Sequence, residues 1–242
     1  MSNPLIRKLE AAEALTVEDR AVLNALCTAS RQVEAKRDII AQGDTPSDVH
    51  LVLDGIACRY KILANGARQI VAVLLPGDFC DLHIALLGEM DHTIGALTPC
   101  RIVDIPAATI RDLSHRPRIA RALWWATLVD EGTLREWLIN NGRREAPQRM
   151  AHFFCEMLLR LQAVSLADDK SYDMPFRQYD LADLFALTSV HVNRTLRQLR
   201  EADLIVLERR QLTIPDVARL MAFCDFDPAY LHLGSQQAPT VG

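Results

Sequence analysis

The chain has 242 residues, of which 50% are hydrophobic and 24% charged, with a formal net charge of −4. That length accommodates two domains that each bury a core, and the composition excludes a disordered or collagen-like chain. No apolar run approaches the ~20 residues needed to span a bilayer, and no basic segment followed by an apolar run opens the sequence. The expectation is a cytoplasmic protein with no membrane partner. The slightly acidic balance also means that any affinity for nucleic acid has to come from a local basic patch.

Residues 5–29 read as helical. Glycines then recur at 43, 55, 66 and 77, every 11 or 12 residues, each in turn chemistry (QGD, LDG, ANG, LPGD). The runs between them, DVHLVL, IACRYKIL and RQIVAVLL, are rich in Val, Ile, Leu and Tyr. Short strands at that spacing predict an antiparallel sandwich or barrel. Asn65-Gly66 is the strongest hairpin signal, because a type I′ turn needs positive φ at both central residues. The pattern resumes through TIGAL and RIVDI and stops at Pro106.

From Pro117 to Asn141 the sequence reads as one long helix. Ile119, Ala122, Leu123, Ala126 and Val129, then Leu134, Trp137 and Leu138, step by three and four. This stripe is broader than a small domain needs, which predicts a two-helix seam in a dimer, with Ala126 and Val129 on it. NNGRREAPQR breaks the pattern, with Asn and Gly closing one helix and Pro147 opening the next. The expected boundary separates residues 1–142 from 143–242. A further helix, RMAHFFCEMLLRLQAV, leads into a polar loop, SLADDKSYDMP.

The segment LADLFALTSVHVNRTLRQLREADLI has helix-turn-helix spacing. Leu181, Leu184 and Phe185 of its first helix can face Val192, Leu196 and Leu199 of its second. Thr188 is placed to cap the second helix. The outward face, Ser189, His191, Asn193, Arg194 and Arg197, suits a helix of about residues 189–200 lying in a major groove. LIVLERRQLTI reads as two short strands around a basic tip, Arg209 and Arg210, fit to touch phosphates. Basic residues at 143, 144 and 149 add to this expectation.

The order of these features resembles the Crp/Fnr family of bacterial transcription regulators over about residues 10 to 225. AQGDTPSDVHLVLDG and LLPGDFCDLH resemble the family's cyclic-nucleotide-binding β-roll, and QYDLADLFALTSVHVNRTLRQLREADLI its winged helix. The resemblance implies an α+β chain with three parts. These are an N-terminal antiparallel, jelly-roll-like β-roll, a long dimerisation helix and a C-terminal winged helix-turn-helix. It further implies a homodimer on a two-fold operator in double-stranded DNA, with RNA polymerase and a small-molecule effector as further partners. The family's base-reading positions fall on Ser189, Val190, Asn193 and Arg194. A valine replaces the glutamate often found at position 190. Ala186 stands at the customary turn glycine, and Arg177 where the first helix should be capped.

In the family's phosphate-binding cassette, a glutamate that holds the ribose and an arginine that holds the phosphate align to Leu82 and His92. Thr93 keeps a hydroxyl, and His83 lies in the same effector region. Leucine accepts no hydrogen bond and a neutral imidazole is a poor phosphate clamp, so cyclic AMP is not the expected effector. The cofactor is left open by the sequence.

A second reading places haem or a metal on Cys80, His83 and His92, since thiolate and imidazole suit haem iron or zinc. A third, a β-barrel metalloenzyme, lacks an HxH cluster, a paired-carboxylate motif and a nucleophile arrangement, so the expectation is a protein that is not an enzyme. Six cysteines, at 27, 58, 80, 100, 155 and 224, form no CxxC pair. That spacing argues against a zinc ribbon or an Fe–S cluster and for buried reduced thiols.

Overall fold

The computed structural model describes residues 3–233. Two short helices open the chain where one helical stretch was expected. Helix α1, Pro4–Glu10, begins with proline at its first position, and the Asn3 side chain accepts from the Leu5 amide at 3.0 Å. Helix α2, Val17–Leu26, starts on a reciprocal cap in which Thr16 Oγ1 accepts from Asp19 N and Asp19 Oδ2 from Thr16 N, both at 3.1 Å.

Seven strands follow: β1 Arg31–Val33, β2 Asp38–Ile40, β3 Asp48–Asp54, β4 Ala57–Ile62, β5 Arg68–Leu74, β6 Thr93–Ala96 and β7 Cys100–Pro106. They form two sheets, ordered β1-β7-β3 and β2-β6-β4-β5, with β1 and β3 both antiparallel to β7. The expected antiparallel β-roll is present. A four-residue helix, α3 Ile84–Leu87, lies between β5 and β6. Helix α4, Ala107–Leu113, precedes the long helix α5, Pro117–Arg143, which runs two residues beyond its expected end.

The β1-β7-β3 sheet is buried on both faces. Val49, Leu51, Val103 and Ile105 pack with Leu5, Leu9, Leu23, Ile110 and Ile119 from the helices. Val52 and Ile102 point the other way, into a core with Ile40, Leu74, Met90 and Ile94. Alternation along β3 and β7 thus divides two cores, as period-2 side-chain placement requires. Gly55 carries φ +81°, and a Cβ there would stand 2.2 Å from the Pro99 carbonyl oxygen, so only glycine fits this turn.

The Asn65-Gly66 hairpin differs from expectation. Only Gly66 has positive φ. Gly66 N donates to Leu63 O and Leu63 N to Ala67 O, both at 2.8 Å. This is a turn closed by a left-handed glycine rather than the two-residue I′ loop, and the longer loop removes the demand on Asn65.

The chain divides into two compact units, one holding the segment up to Arg59 with Val73–Gly132, the other holding Tyr60–Ala72 with Thr133–Tyr230. The division therefore falls inside α5, not at residue 142. A continuous helix serves both cores, and its Asn-Gly pair does not end it. Tyr60–Ala72 belongs to the second unit, where Arg68 Nε lies 3.3 Å from Asp183 Oδ2 and Gln69 Nε2 donates to Leu184 O at 3.2 Å.

The second unit is built around α6, Ala146–Ala163, with Pro147 in its first turn. Phe153 contacts the rings of Trp137, Phe154, Phe176 and Phe185. The fully buried Glu156 accepts from Trp137 Nε1, Tyr230 OH and Arg160 Nη1, each at 2.9 Å, so its charge is hydrogen-bonded throughout. Helices α7 Gln178–Phe185 and α8 Ser189–Glu201 follow, then strands β9 Val206–Glu208 and β10 Gln211–Thr213. A third wing strand, β8 Ser171–Asp173, comes from the loop read as irregular and pairs with β10. Its sequence, SYD, carries no strand signal by itself. Helix α9, Val217–Cys224, completes the unit, its first turn held by the Asp216 side chain accepting from Arg219 N at 2.9 Å. All six cysteines are free thiols, and five are buried.

Candidate nucleic-acid interface and effector region

Helix α7 lacks a side-chain cap from Arg177. Instead the Arg177 amide donates to Asp180 Oδ2 at 2.9 Å. The helix ends at Ala186 with φ 52° and ψ 45°, a left-handed residue where glycine is customary, at a cost of about 1–2 kcal/mol. Arg149 Nη1 donates to Phe185 O at 2.8 Å, satisfying a carbonyl at that helix end. Thr188 Oγ1 accepts from His191 N at 3.2 Å, the expected cap of α8.

Leu181, Leu184 and Phe185 are buried, as are Val192, Leu196 and Leu199 opposite them. That packing turns the other face of α8 outward. Thr188, Ser189, Val190, Asn193, Arg194 and Arg197 are exposed, and His191 is half-buried. Arg197 Nε bonds Glu201 Oε1 at 2.7 Å. Asn193 exchanges two 2.9 Å bonds with Gln178, a residue that the sequence pattern did not single out. Its signal was its place at the first position of α7, 15 residues before Asn193. Arg194 makes no hydrogen bond or ion pair among the described residues.

The wing tip is a two-residue loop. Glu208 and Gln211 are paired across it, and Arg209 and Arg210 have φ of 45° and 77°. Both are exposed. Two arginines thus stand in the geometry that favours Asn-Gly.

Two of the basic residues counted toward a DNA surface face inward instead. Arg144 bonds Glu136 Oε1 at 2.8 Å and the Cys224 carbonyl at 3.1 Å. Arg149 bonds backbone carbonyls at Phe185 and Arg144. Their donors hold helix ends together, so they do not add to the patch.

In the first unit, the residues aligned to a nucleotide cassette are otherwise engaged. Thr93 Oγ1 accepts from the Gln42 amide at 3.0 Å. Leu82 packs on the core shared with α1 and α2. Burial lowers the pKa of His92 below its usual value, against the opposing pull of its Asp91 hydrogen bond. Arg59 Nε and Nη2 donate to the carbonyls of Cys80 and Phe79 at 2.9 and 3.0 Å, and its Nη1 pairs with Asp130 on α5.

His83 and His92 come together, with ring centroids 5.6 Å apart. Cys80 does not join them. Its side chain lies fully buried in the core with Val52 and Ile84. Burial and the nearby Asp81 charge push its thiol well above the ordinary range, which disfavours the thiolate a metal or haem needs. Asp91 takes that third place: one donor atom from each of His83, Asp91 and His92 lies within 4.8 Å of the others.

A β-roll unit and a winged helix-turn-helix unit with an exposed, arginine-bearing second helix define a DNA-binding transcription regulator. A family model described as "Cyclic nucleotide-binding domain" matches residues 30–116, and one described as "Crp-like helix-turn-helix domain" matches 148–223. The chain belongs to the Crp/Fnr family. It is 29% identical over 185 residues to the nitrogen fixation regulation protein FixK of Bradyrhizobium diazoefficiens, covering 76% of this chain and 77% of that one. It is 27% identical over 201 residues to the transcriptional activator protein FnrL of Cereibacter sphaeroides, covering 79% and 78%. The structure of FixK2 from Bradyrhizobium japonicum superposes with a TM-score of 0.72 at 24% identity, over 81% of this chain and 96% of that one. No helix among the described residues is long and apolar enough to cross a membrane.

Proposed function

We propose that the protein is a cytoplasmic homodimer that binds a two-fold operator in double-stranded DNA through α8 of each subunit, and that it is not an enzyme. Ser189, Val190, Asn193 and Arg194 face the base edges. Thr188, His191 and Arg197 flank them, and Arg209 and Arg210 meet phosphates. RNA polymerase is the expected partner at the promoter. The observation that carries this reading is Arg194, an exposed guanidinium on the outer face of a capped, well-packed helix. Its donors are available for the bidentate bond to guanine O6 and N7.

The effector is not cyclic AMP. A cyclic phosphate taken out of water needs its charge matched, and His92, whose protonation burial opposes, is a poor match. Leu82 offers no ribose acceptor, and the Thr93 hydroxyl already receives a backbone amide. Forgoing two such interactions at about 1.5–3 kcal/mol each weakens binding by roughly a hundredfold or more.

Selection of bound sequences from a random DNA pool tests the DNA reading. The wild-type protein is expected to enrich a palindrome that an Arg194→Ala dimer does not enrich. An unchanged selection by the folded variant would overturn the role of α8. Calorimetry with cyclic AMP tests the effector statement, and a micromolar dissociation constant would overturn it.

A further inference from the structure

We propose that His83, Asp91 and His92 form a binding site for a divalent first-row transition-metal ion, of which zinc is the probe. This concerns the effector region alone and stands or falls independently of the DNA reading.

Nε2 of His83 and Nε2 of His92 are both buried, and neither has a hydrogen-bond partner among the described residues. A buried polar atom without a partner is unfavourable and uncommon in native structures. Here two of them, on neighbouring rings, are the same kind of atom, an imidazole nitrogen. Nδ1 of His92 lies 2.6 Å from Asp91 Oδ1. That contact holds the Asp91 carboxylate beside the ring pair, where one of its oxygens can serve as the third ligand. Asp91 also brings the negative charge that two neutral imidazoles lack.

The nearby cation Arg59 is already matched by Asp130 and by two carbonyls, so it does not leave an uncompensated charge beside the site. Donors around a tetrahedral zinc at ~2.0–2.2 Å lie ~3.4 Å from one another. The three donors, within 4.8 Å of one another, therefore close on an ion with side-chain shifts of about 1 Å. His83 can supply that shift, because it is only half-buried and precedes a four-residue helix. Three protein ligands leave a fourth position for water or a small ligand. Imidazole and carboxylate donors suit zinc, cobalt and iron(II), and among these zinc binds such sites more tightly than iron(II).

Zinc affinity of the purified, chelator-stripped full chain, measured in competition with a chromophoric chelator, tests the site. One ion per chain is expected. His83→Ala and His92→Ala should each weaken it by more than about 100-fold, and Asp91→Asn, which exchanges a charged ligand for a neutral carbonyl, should weaken it by a smaller factor. Cys80→Ser should leave it unchanged. The cobalt-loaded protein should show ligand-field bands without a thiolate charge-transfer band. The Asp91 side chain is 73% exposed, so Asp91→Asn keeps the test open if a histidine variant misfolds. Failure to bind stoichiometric zinc, binding indifferent to all three substitutions, or a thiolate band would each overturn the proposal. None of these results depends on DNA binding.

Discussion

The side-chain amides of Gln178 and Asn193 bond each other in both directions, each at 2.9 Å. The pair ties the first residue of α7 to the exposed face of α8 and holds the Asn193 amide in one orientation. Each amide uses one N–H and one lone pair in the exchange, leaving one donor and acceptor capacity for an adenine edge. Gln178→Ala should therefore leave the fold intact and weaken specific binding by about 0.5–1.5 kcal/mol, the net worth of a hydrogen bond. Arg194→Ala should cost more, about 1–3 kcal/mol in each half-site. Fluorescence anisotropy on specific and scrambled duplexes separates the two. Equal losses on both duplexes would mean that these residues do not read bases.

Arg209 and Arg210 set stability against binding. Both hold left-handed backbones, which cost a residue with a Cβ about 1–2 kcal/mol. The double substitution Arg209→Asn with Arg210→Gly should raise the unfolding free energy by about 1–2 kcal/mol. It should also lower DNA affinity evenly across sequences. The slope of log K against log salt should fall by about 0.9 for each phosphate that the wing no longer neutralises. A variant that is more stable yet keeps the wild-type salt slope would remove the wing from the interface.

Along α5, Leu134 and Leu138 of the stripe read from the sequence are exposed, whereas Ala126, which that reading placed on the dimer seam, is half-buried. Ala126 packs on the chain's own core. Trp124, Leu128 and Leu138 are 69%, 50% and 76% exposed, so they are the apolar side chains that a partner helix would cover. Leu128→Glu or Leu138→Glu should dissociate the dimer, since a charge buried unpaired costs several kcal/mol. Ala126→Glu should lower folding stability instead. Sedimentation velocity at roughly tens of micromolar checks this, and a wild-type monomer there would refute the seam.

His152 makes the second unit sensitive to acid. It is buried against the rings of Phe226 and Tyr230. Burial, aided by the Arg144 charge, lowers its pKa to about 3. The Glu136 oxygen 3.1 Å from its Nε2 is shared with the Arg144 guanidinium, which compensates the carboxylate. A folded pKa below the unfolded value of ~6.5 means that the unfolded chain takes the proton first. The stability is present above pH ~6.5 and is lost as pH falls toward 3, at up to about 1.4 kcal/mol per pH unit. Between pH 7.5 and 5.5, urea unfolding should show about 1.4 kcal/mol more loss in the wild type than in His152→Leu. Parallel pH profiles would mean that the histidine takes up its proton equally in the folded and unfolded chains, and would overturn this reading.

Features written in short windows of residues were legible without a structure. The strands between Gly43 and Gly77, the Thr188 cap and the opposed apolar faces of α7 and α8 all follow from periodicity and local backbone preference. So does the basic two-residue tip at Arg209-Arg210, because a hairpin loop depends on the residues beside it. What depended on partners far away in sequence was decided only by tertiary packing. Arg144 and Arg149 look like DNA-binding residues until the Cys224 and Phe185 carbonyls take their donors. SYD becomes a strand only because β10 offers it an edge. The stripe on α5 shows which residues are apolar, but packing on α1 and α2 decides which of them stay uncovered. His83 and His92 were visible as a pair, whereas Asp91 replaces Cys80 beside them because the cysteine is drawn into the core between the sheets. Hydrophobic burial is non-directional and claims any apolar side chain within reach, so the residues left to bind something are known only once the core has formed.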